Sequence, residues 1–256
     1  MGQQGTKETL STVHRAFEVI DTLRELEGAR VTELATELNI APSTAYKYLA
    51  TLEREGCVVK EGDEYQVGLE FLDIGTYVKY RKKGYYLCTQ KVSEIAEETG
   101  ERVQFVVEEH GRGIYLDTEA SDENAVKMDR RDGVHRYLHS TAAGKAILAE
   151  LPQHRIEEIV DNHGLPAETD HTITDLNELF DELKQIRKDQ IAYNDEESVK
   201  GLRAVGVPVF QPNGLVLGAF SMSAPSHRLQ GQRFREEIPN ILLGHANQIE
   251  LNLRYS

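Results

Sequence analysis

The sequence predicts an α+β protein in two domains: an N-terminal winged helix-turn-helix, a linker helix, and a larger C-terminal antiparallel α+β domain. Three observations predict it. The chain of 256 residues is longer than one core normally needs. Residues 13–55 carry three helical apolar patterns divided by a tight turn, and a short hairpin pattern follows them. From Tyr85 onward, helix patterns alternate with paired strand patterns, as in antiparallel hairpins mixed with helices.

The elements follow in order. Val13, Ala16, Phe17, Ile20, Leu23 and Leu26 recur at offsets of three and four, the stripe of a helix burying one face, and Gly28 ends it. Thr32 is expected to cap a second helix through Leu34, Ala35 and Leu38. Asn39 tolerates the left-handed turn that follows, and Pro42 and Ser43 open a third helix ending before Gly56. The segment after Gly56, CVVKEGDEYQVG, reads as two strands around a turn, the wing. The DNA-binding module is therefore expected over residues 1–68.

At 100° per residue, Ala45, Tyr48, Leu49 and Leu52 of the third helix face the core. Ser43, Lys47, Ala50 and Arg54 point the opposite way, flanked by Thr44 and Tyr46. Hydroxyls and cations around one small residue suit a helix entering the major groove of double-stranded DNA, where they reach phosphates and base edges. Pro42, Arg15 and Thr32 complete the expected contact set. The wing tip is acidic through Glu61, Asp63 and Glu64, so it is expected to avoid phosphate.

Residues 69–84 read as the linker helix, with apolar Leu69, Leu72, Ile74, Tyr77 and Val78 and a basic close at Arg81, Lys82 and Lys83. Its apolar face fits packing against a partner subunit or against its own chain. Residues 85–256 form the second domain. The pattern gives a helix to Gly100, strands over 102–109 and 114–118, a strand near 125–130, and helices over 141–151, 153–161 and 175–189. Strands over 204–210 and 216–222 and a terminal helix over 232–253 complete it.

Charge and motifs narrow the function. Lys and Arg total 29 against 43 Asp and Glu, a net −14 that by itself opposes binding a polyanion. Residues 1–68 carry −5 and the remainder −9, so neither part is basic. Cys57 and Cys88 form no CxxC pair, which points to a reducing interior and no disulfide framework. No membrane span is visible, and the start, MGQQGTKETL, lacks a secretory apolar region, so a cytoplasmic protein is expected. Gly2 and Thr6 match the loose myristoylation pattern, which a polar start meets by chance.

Catalytic signals are scarce. The run from Thr141 to Ala146 lacks the first glycine and the hydroxyl after lysine that a phosphate loop requires. Gly111-Arg112-Gly113 is a hairpin turn. His135 and His139 lack the glutamate and third ligand of a zinc site, and Ser140, His139 and Asp132 are a chance collection. No nucleophile elbow exists, so no enzyme activity, cofactor or metal is expected. The alternatives are a sensory hydrolase using the C-terminal domain and a winged domain that binds protein. More informative are segments able to line a small cavity. They are Ala142, Ala143 and Gly144 at a helix start, Ser221 and Ser223 on one strand face, and Asn194 to Glu197 before Gly201.

Three ordered motifs then resemble the IclR family of transcriptional regulators, over nearly the whole chain. The first is Val31-Thr-Glu-Leu-Ala35 with Asn39-Ile-Ala-Pro-Ser-Thr-Ala-Tyr-Lys-Tyr-Leu49, and the second is His139-Ser-Thr-Ala-Ala-Gly-Lys-Ala-Ile-Leu-Ala149. The third joins Asn194-Asp-Glu-Glu197, Gly201, Pro208-Val209, Gly214, Ser221-Met-Ser-Ala-Pro225 and Arg228. The resemblance implies a winged helix-turn-helix, a linker helix, a GAF-like effector domain, and a homodimer or dimer of dimers on an operator of catabolic genes. It also implies that Ala142, Ala143, Asn194, Ala204, Ser221 and Ser223 line the effector pocket. Asn194 stands where Asp is frequent and Ala204 where Cys is frequent. Loss of a carboxylate near Arg136 would favour an anionic or polyhydroxyl effector, an organic acid or sugar-derived metabolite. The acidity, spread over both domains, is expected of a halophilic cytoplasm, where salt screens repulsion within about 3 Å at 1 M.

Overall fold

The computed structural model describes residues 9–120 and 132–255. The chain divides into two units, Met1–Val78 and Lys79–Ser256. The myristoylation pattern and the strand expected near 125–130 lie outside the described residues.

In the first unit, α1 (Ser11–Glu25), α2 (Val31–Glu37) and α3 (Pro42–Arg54) precede the hairpin of β1 (Val58–Glu61) and β2 (Glu64–Val67). Val19, Leu23, Leu34, Ala45, Leu49 and Tyr65 meet in one core. Asn39 takes the left-handed turn between α2 and α3 at φ +50°. Of the stripe expected on the first helix only Leu23 is buried, Ala16 and Ile20 are half-buried, and Val13, Phe17 and Leu26 are exposed, while Val19, outside that stripe, lies in the core. Thr32 is not the cap of α2. The helix starts one residue before it, and the Glu33 carboxylate accepts from the Arg30 amide at 2.7 Å, satisfying a donor at the helix start.

The linker helix α4 (Glu70–Tyr80) is shorter than expected and has no buried residue. Arg81 and Lys82 form a break, and Lys83 already belongs to α5 (Lys83–Thr99), which ends on Gly100 at φ +71°.

The second unit is built on one antiparallel sheet in the order β5-β4-β3-β8-β7-β6. These strands are β3 (Arg102–Glu109), β4 (Arg112–Ala120), β5 (His135–Tyr137), β6 (Ala192–Asp195), β7 (Leu202–Phe210) and β8 (Val216–Pro225). Periodicity does not reveal β5 and β6, which are three and four residues long. One sheet face packs on α5 and on the terminal α9 (Ile238–Tyr255) through Val103, Phe105, Val207, Phe220 and Met222. A single π turn, Arg233–Glu237, opens α9. The other face carries α6 (Ala142–Glu150), α7 (Gln153–His163) and α8 (Leu176–Asp189), with Ile147, Ile156, Leu179 and Leu183 inside.

The small residues at the start of α6 are explained by packing. A Cβ on Gly206 would stand 2.5 Å from the Ala142 carbonyl carbon, and one on Gly144 would stand 2.2 Å from the Leu138 oxygen. The helix start therefore lies directly on strand β7, where larger residues would separate the two.

Candidate DNA-reading face and effector cavity

On α3, Ser43, Thr44, Tyr46, Lys47 and Arg54 are exposed, Ala50 is half-buried, and Pro42 occupies the first turn. The structure brings these onto the outer side of the helix, while Thr32 lies exposed on α2. The cations differ in availability. Arg54 pairs with Glu55 at 3.0 Å and Arg15 with Glu18 at 3.0 Å. Lys47 has no ion pair among the described residues.

The cavity in the second unit grows out of strand register. Asn194 on β6 stands opposite Ala204 on β7, Ala204 opposite Ser223 on β8, and Ser223 opposite Arg102 on β3. One transverse row of the sheet thus presents four lining side chains on one face. The next row runs Gly206, Ser221, Gln104, and the Gly206 end is where Ala142 crosses. Arg136 on β5, Tyr115 on β4 and Glu168 from the connection between α7 and α8 close the cavity, which measures about 90 Å³.

Six of the seven expected pocket residues meet here: Arg136, Ala142, Asn194, Ala204, Ser221 and Ser223. Ala143 does not; it is buried against Ile147 and Leu148 in the core beneath the helix. Of the amides expected to be open at this helix start, that of Gly144 is taken by the Thr141 hydroxyl at 3.1 Å. Glu197 also falls outside the lining. Its carboxylate turns to Lys145, whose side chain is 1% exposed and bonds to Glu197 Oε1 at 2.7 Å and to Glu182 Oε1 at 3.1 Å. Burial pushes the Glu197 carboxyl up, against the pull of Lys145, and its second oxygen has no partner.

Asn194 is bound into the wall. Its Nδ2 donates to the Ser140 carbonyl at 2.7 Å and to Ser198 Oγ at 2.9 Å, while its Oδ1 accepts from the Glu197 amide at 3.0 Å. With this geometry an aspartate would set a carboxylate oxygen against the Ser140 carbonyl, so the amide fits this wall. The substitution therefore says little about effector charge.

Residues that sequence reasoning missed supply most of the polarity. Gln104 donates to the Ser221 carbonyl and accepts from Ser223 Oγ and Arg102 Nε, at 3.1, 3.1 and 3.3 Å. Burial pushes the Tyr115 phenol up, Arg102 and Arg136 pull it back, and Glu168 pushes it further. Arg102 and Gln104 do carry a sequence signal: two polar residues alternate with Val103 and Phe105 on an otherwise apolar strand. Glu168 lies in a loop and has no periodic signal.

Among the described residues no group of three or more His, Cys, Asp or Glu could hold a metal ion, and no helix is long and apolar enough to cross a membrane.

Comparison with known proteins agrees with both units. The family model of the IclR helix-turn-helix domain matches residues 12–62, and that of the bacterial transcriptional regulator IclR C-terminal domain matches residues 87–251. A probable HTH-type transcriptional regulator ArcR of Halobacterium salinarum is 34% identical over 253 residues, spanning 97% of this chain and 96% of that protein. The HTH-type transcriptional regulator KdgR of Escherichia coli is 27% identical over 250 residues, spanning 97% and 94%. The crystal structure of the Thermotoga maritima IclR superimposes with a TM-score of 0.81 at 31% identity, over 96% of this chain and 100% of that one. The sensory-hydrolase alternative finds no support among these relatives. A helix-turn-helix domain ahead of an effector-binding domain, matched along nearly its full length, makes this chain a member of the IclR family of ligand-responsive transcriptional regulators.

Proposed function

We propose that this regulator binds the operator of catabolic genes through α3, as a homodimer or dimer of dimers, under control of an organic acid or sugar-derived metabolite held in the sheet-side cavity. The observation that carries the effector reading is Arg136, a half-buried guanidinium that lines the cavity and has no ion pair among the described residues. A ligand carboxylate would give it the bidentate partner it lacks. Ser221, Ser223 and Tyr115 add hydroxyls for a polar ligand body. Residues Ser43, Thr44, Tyr46, Lys47, Ala50 and Arg54 would face the major groove, with Pro42 setting the helix start and Arg15 and Thr32 reaching the backbone.

Self-association is supported by apolar surface. On α4 and just before it, Leu69, Leu72, Ile74 and Tyr77 are exposed, and Leu10, Val13 and Phe17 are exposed at the start of the chain's first helix. Several such residues on one short helix favour a covered face in the assembled protein. The surplus of acid, 43 residues against 29, fits a halophilic cytoplasm, in which a Debye length of about 3 Å at 1 M leaves only close contacts active. Footprinting on the intergenic DNA upstream of the gene, across a salt series, tests the DNA reading. Protection of one site that persists at molar KCl is expected; failure to protect any site overturns it.

A further inference from the structure

We propose that the effector is zwitterionic, a short amino acid or amino-acid-like compound whose carboxylate is held by Arg136 and whose cationic group is held by Glu168. The proposal deepens the anionic-effector reading and rests on it.

Arg136 and Glu168 line the same cavity from different elements, one on β5 and the other in the connection between α7 and α8. They do not pair with each other, and neither side chain has an ion pair among the described residues. Tyr115 lines the same cavity and responds to both, Arg136 pulling its phenol down and Glu168 pushing it up. Arg102, the other cation of the wall, already gives its Nε to Gln104. The remaining lining carries no charged side chain, being made of tyrosine, glutamine, serines, threonine, asparagine and apolar residues.

Glu168 is exposed, yet the loop that carries it is held. Its amide donates to Thr172 Oγ1 at 3.0 Å, and Thr172 Oγ1 donates to the Glu197 carbonyl at 2.6 Å. Pro166, two residues earlier, is tied by its carbonyl to His139 Nε2 at 3.1 Å. The backbone that carries Glu168 into the cavity lining is thus held in place.

Two unpaired opposite charges on one small cavity select by attraction and by repulsion. A zwitterion satisfies both. A simple hydroxy acid would leave Glu168 facing a neutral hydroxyl, and a dianion would meet it as a like charge. The cavity volume of about 90 Å³ suits a small ligand.

The test is titration calorimetry on the full chain with the common L-amino acids and with their 2-hydroxy acid counterparts, which differ only in ammonium against hydroxyl. At least one amino acid is expected to bind about tenfold or more tightly than its hydroxy acid. Glu168→Gln, an isosteric change at an exposed position, should erase that preference, and Arg136→Met should weaken both series. Equal affinity for the two series, or a preference that survives Glu168→Gln, overturns the proposal and leaves the anionic-effector reading intact. Binding by neither series overturns the proposal, and the anionic-effector reading falls with it only if a parallel panel of other organic and sugar acids also fails to bind.

Discussion

Lys47 and Lys145 set the two units of this protein side by side. Lys47 stands on the outer side of α3, exposed and without an ion pair among the described residues. Lys145, one turn into α6, is buried between Glu197 and Glu182. The first unit leaves Lys47 in solvent, where a lone surface cation contributes little to folding. The second buries Lys145 and Glu197 as structure, while Arg136 and Glu168 at the cavity have no ion pair among the described residues. If Lys47 contacts DNA as proposed above, the same side chain is a recognition group in one unit and a fastener in the other, and the two should respond differently to the same substitution.

The largest effect is expected from Lys145→Met. Removing the ammonium leaves the buried Glu197 carboxylate with no compensating charge, at a cost of about 3–5 kcal/mol in urea unfolding of the second unit. The companion Lys47→Met should change stability by no more than about 0.5 kcal/mol. Equal losses from the two would break the contrast. Adding Glu197→Gln to Lys145→Met should recover part of the loss, because an amide costs less to bury than an unpaired charge.

Gly206→Ala comes next. Its Cβ would meet the Ala142 carbonyl carbon at 2.5 Å, so α6 must lift from β7, costing about 1–3 kcal/mol by thermal unfolding. Because Ala142 lines the cavity, effector affinity should fall with stability. Stability lost without affinity would separate the packing from the site.

Lys47→Ala sharpens the other side of the comparison. Operator binding should weaken about tenfold, near 1.4 kcal/mol, and the slope of log affinity against log salt should shrink by about one, with the fold unaffected. An unchanged salt slope would show that Lys47 contacts no phosphate.

The smallest effect is a pH dependence in the second unit. Burial lowers the His139 pKa from its ordinary 6.5, opposed by the bond to Pro166 and by Glu168. As pH falls through 6.5 the unfolded chain takes up the proton first. Stability is therefore full above that value and declines toward the lower folded-state pKa. His139→Gln should flatten unfolding midpoints measured between pH 7.5 and 5.5.

How much can be read in advance follows the same division. The first unit is local: its three helices, the Asn39 turn and the α3 face all lie within a few turns of helix, so periodicity finds them. The exceptions are Val13, Phe17 and Leu26, whose apolar character predicts burial although all three are exposed, and Thr32, which does not cap α2. The second unit is assembled from distant segments. Ser221 and Ser223 are legible because their spacing of two puts them on one face, but their neighbours Arg102 and Gln104 join them only through the β3–β8 register. The place of Asn194 is legible and its chemistry is not, because nothing in a linear sequence shows that its amide faces the Ser140 carbonyl. The −14 charge is plain from composition, yet it misleads about DNA, since recognition depends on a few placed groups.

The most direct measurement is operator affinity with and without effector, for the unmodified chain, Lys47→Ala with Arg54→Ala, and Arg136→Met. We expect the α3 double substitution to abolish operator binding while effector affinity stays unchanged, and Arg136→Met to keep operator binding while losing the response to effector. Operator affinity unchanged by the α3 pair, or a full response in Arg136→Met, would contradict the division of labour between the two units.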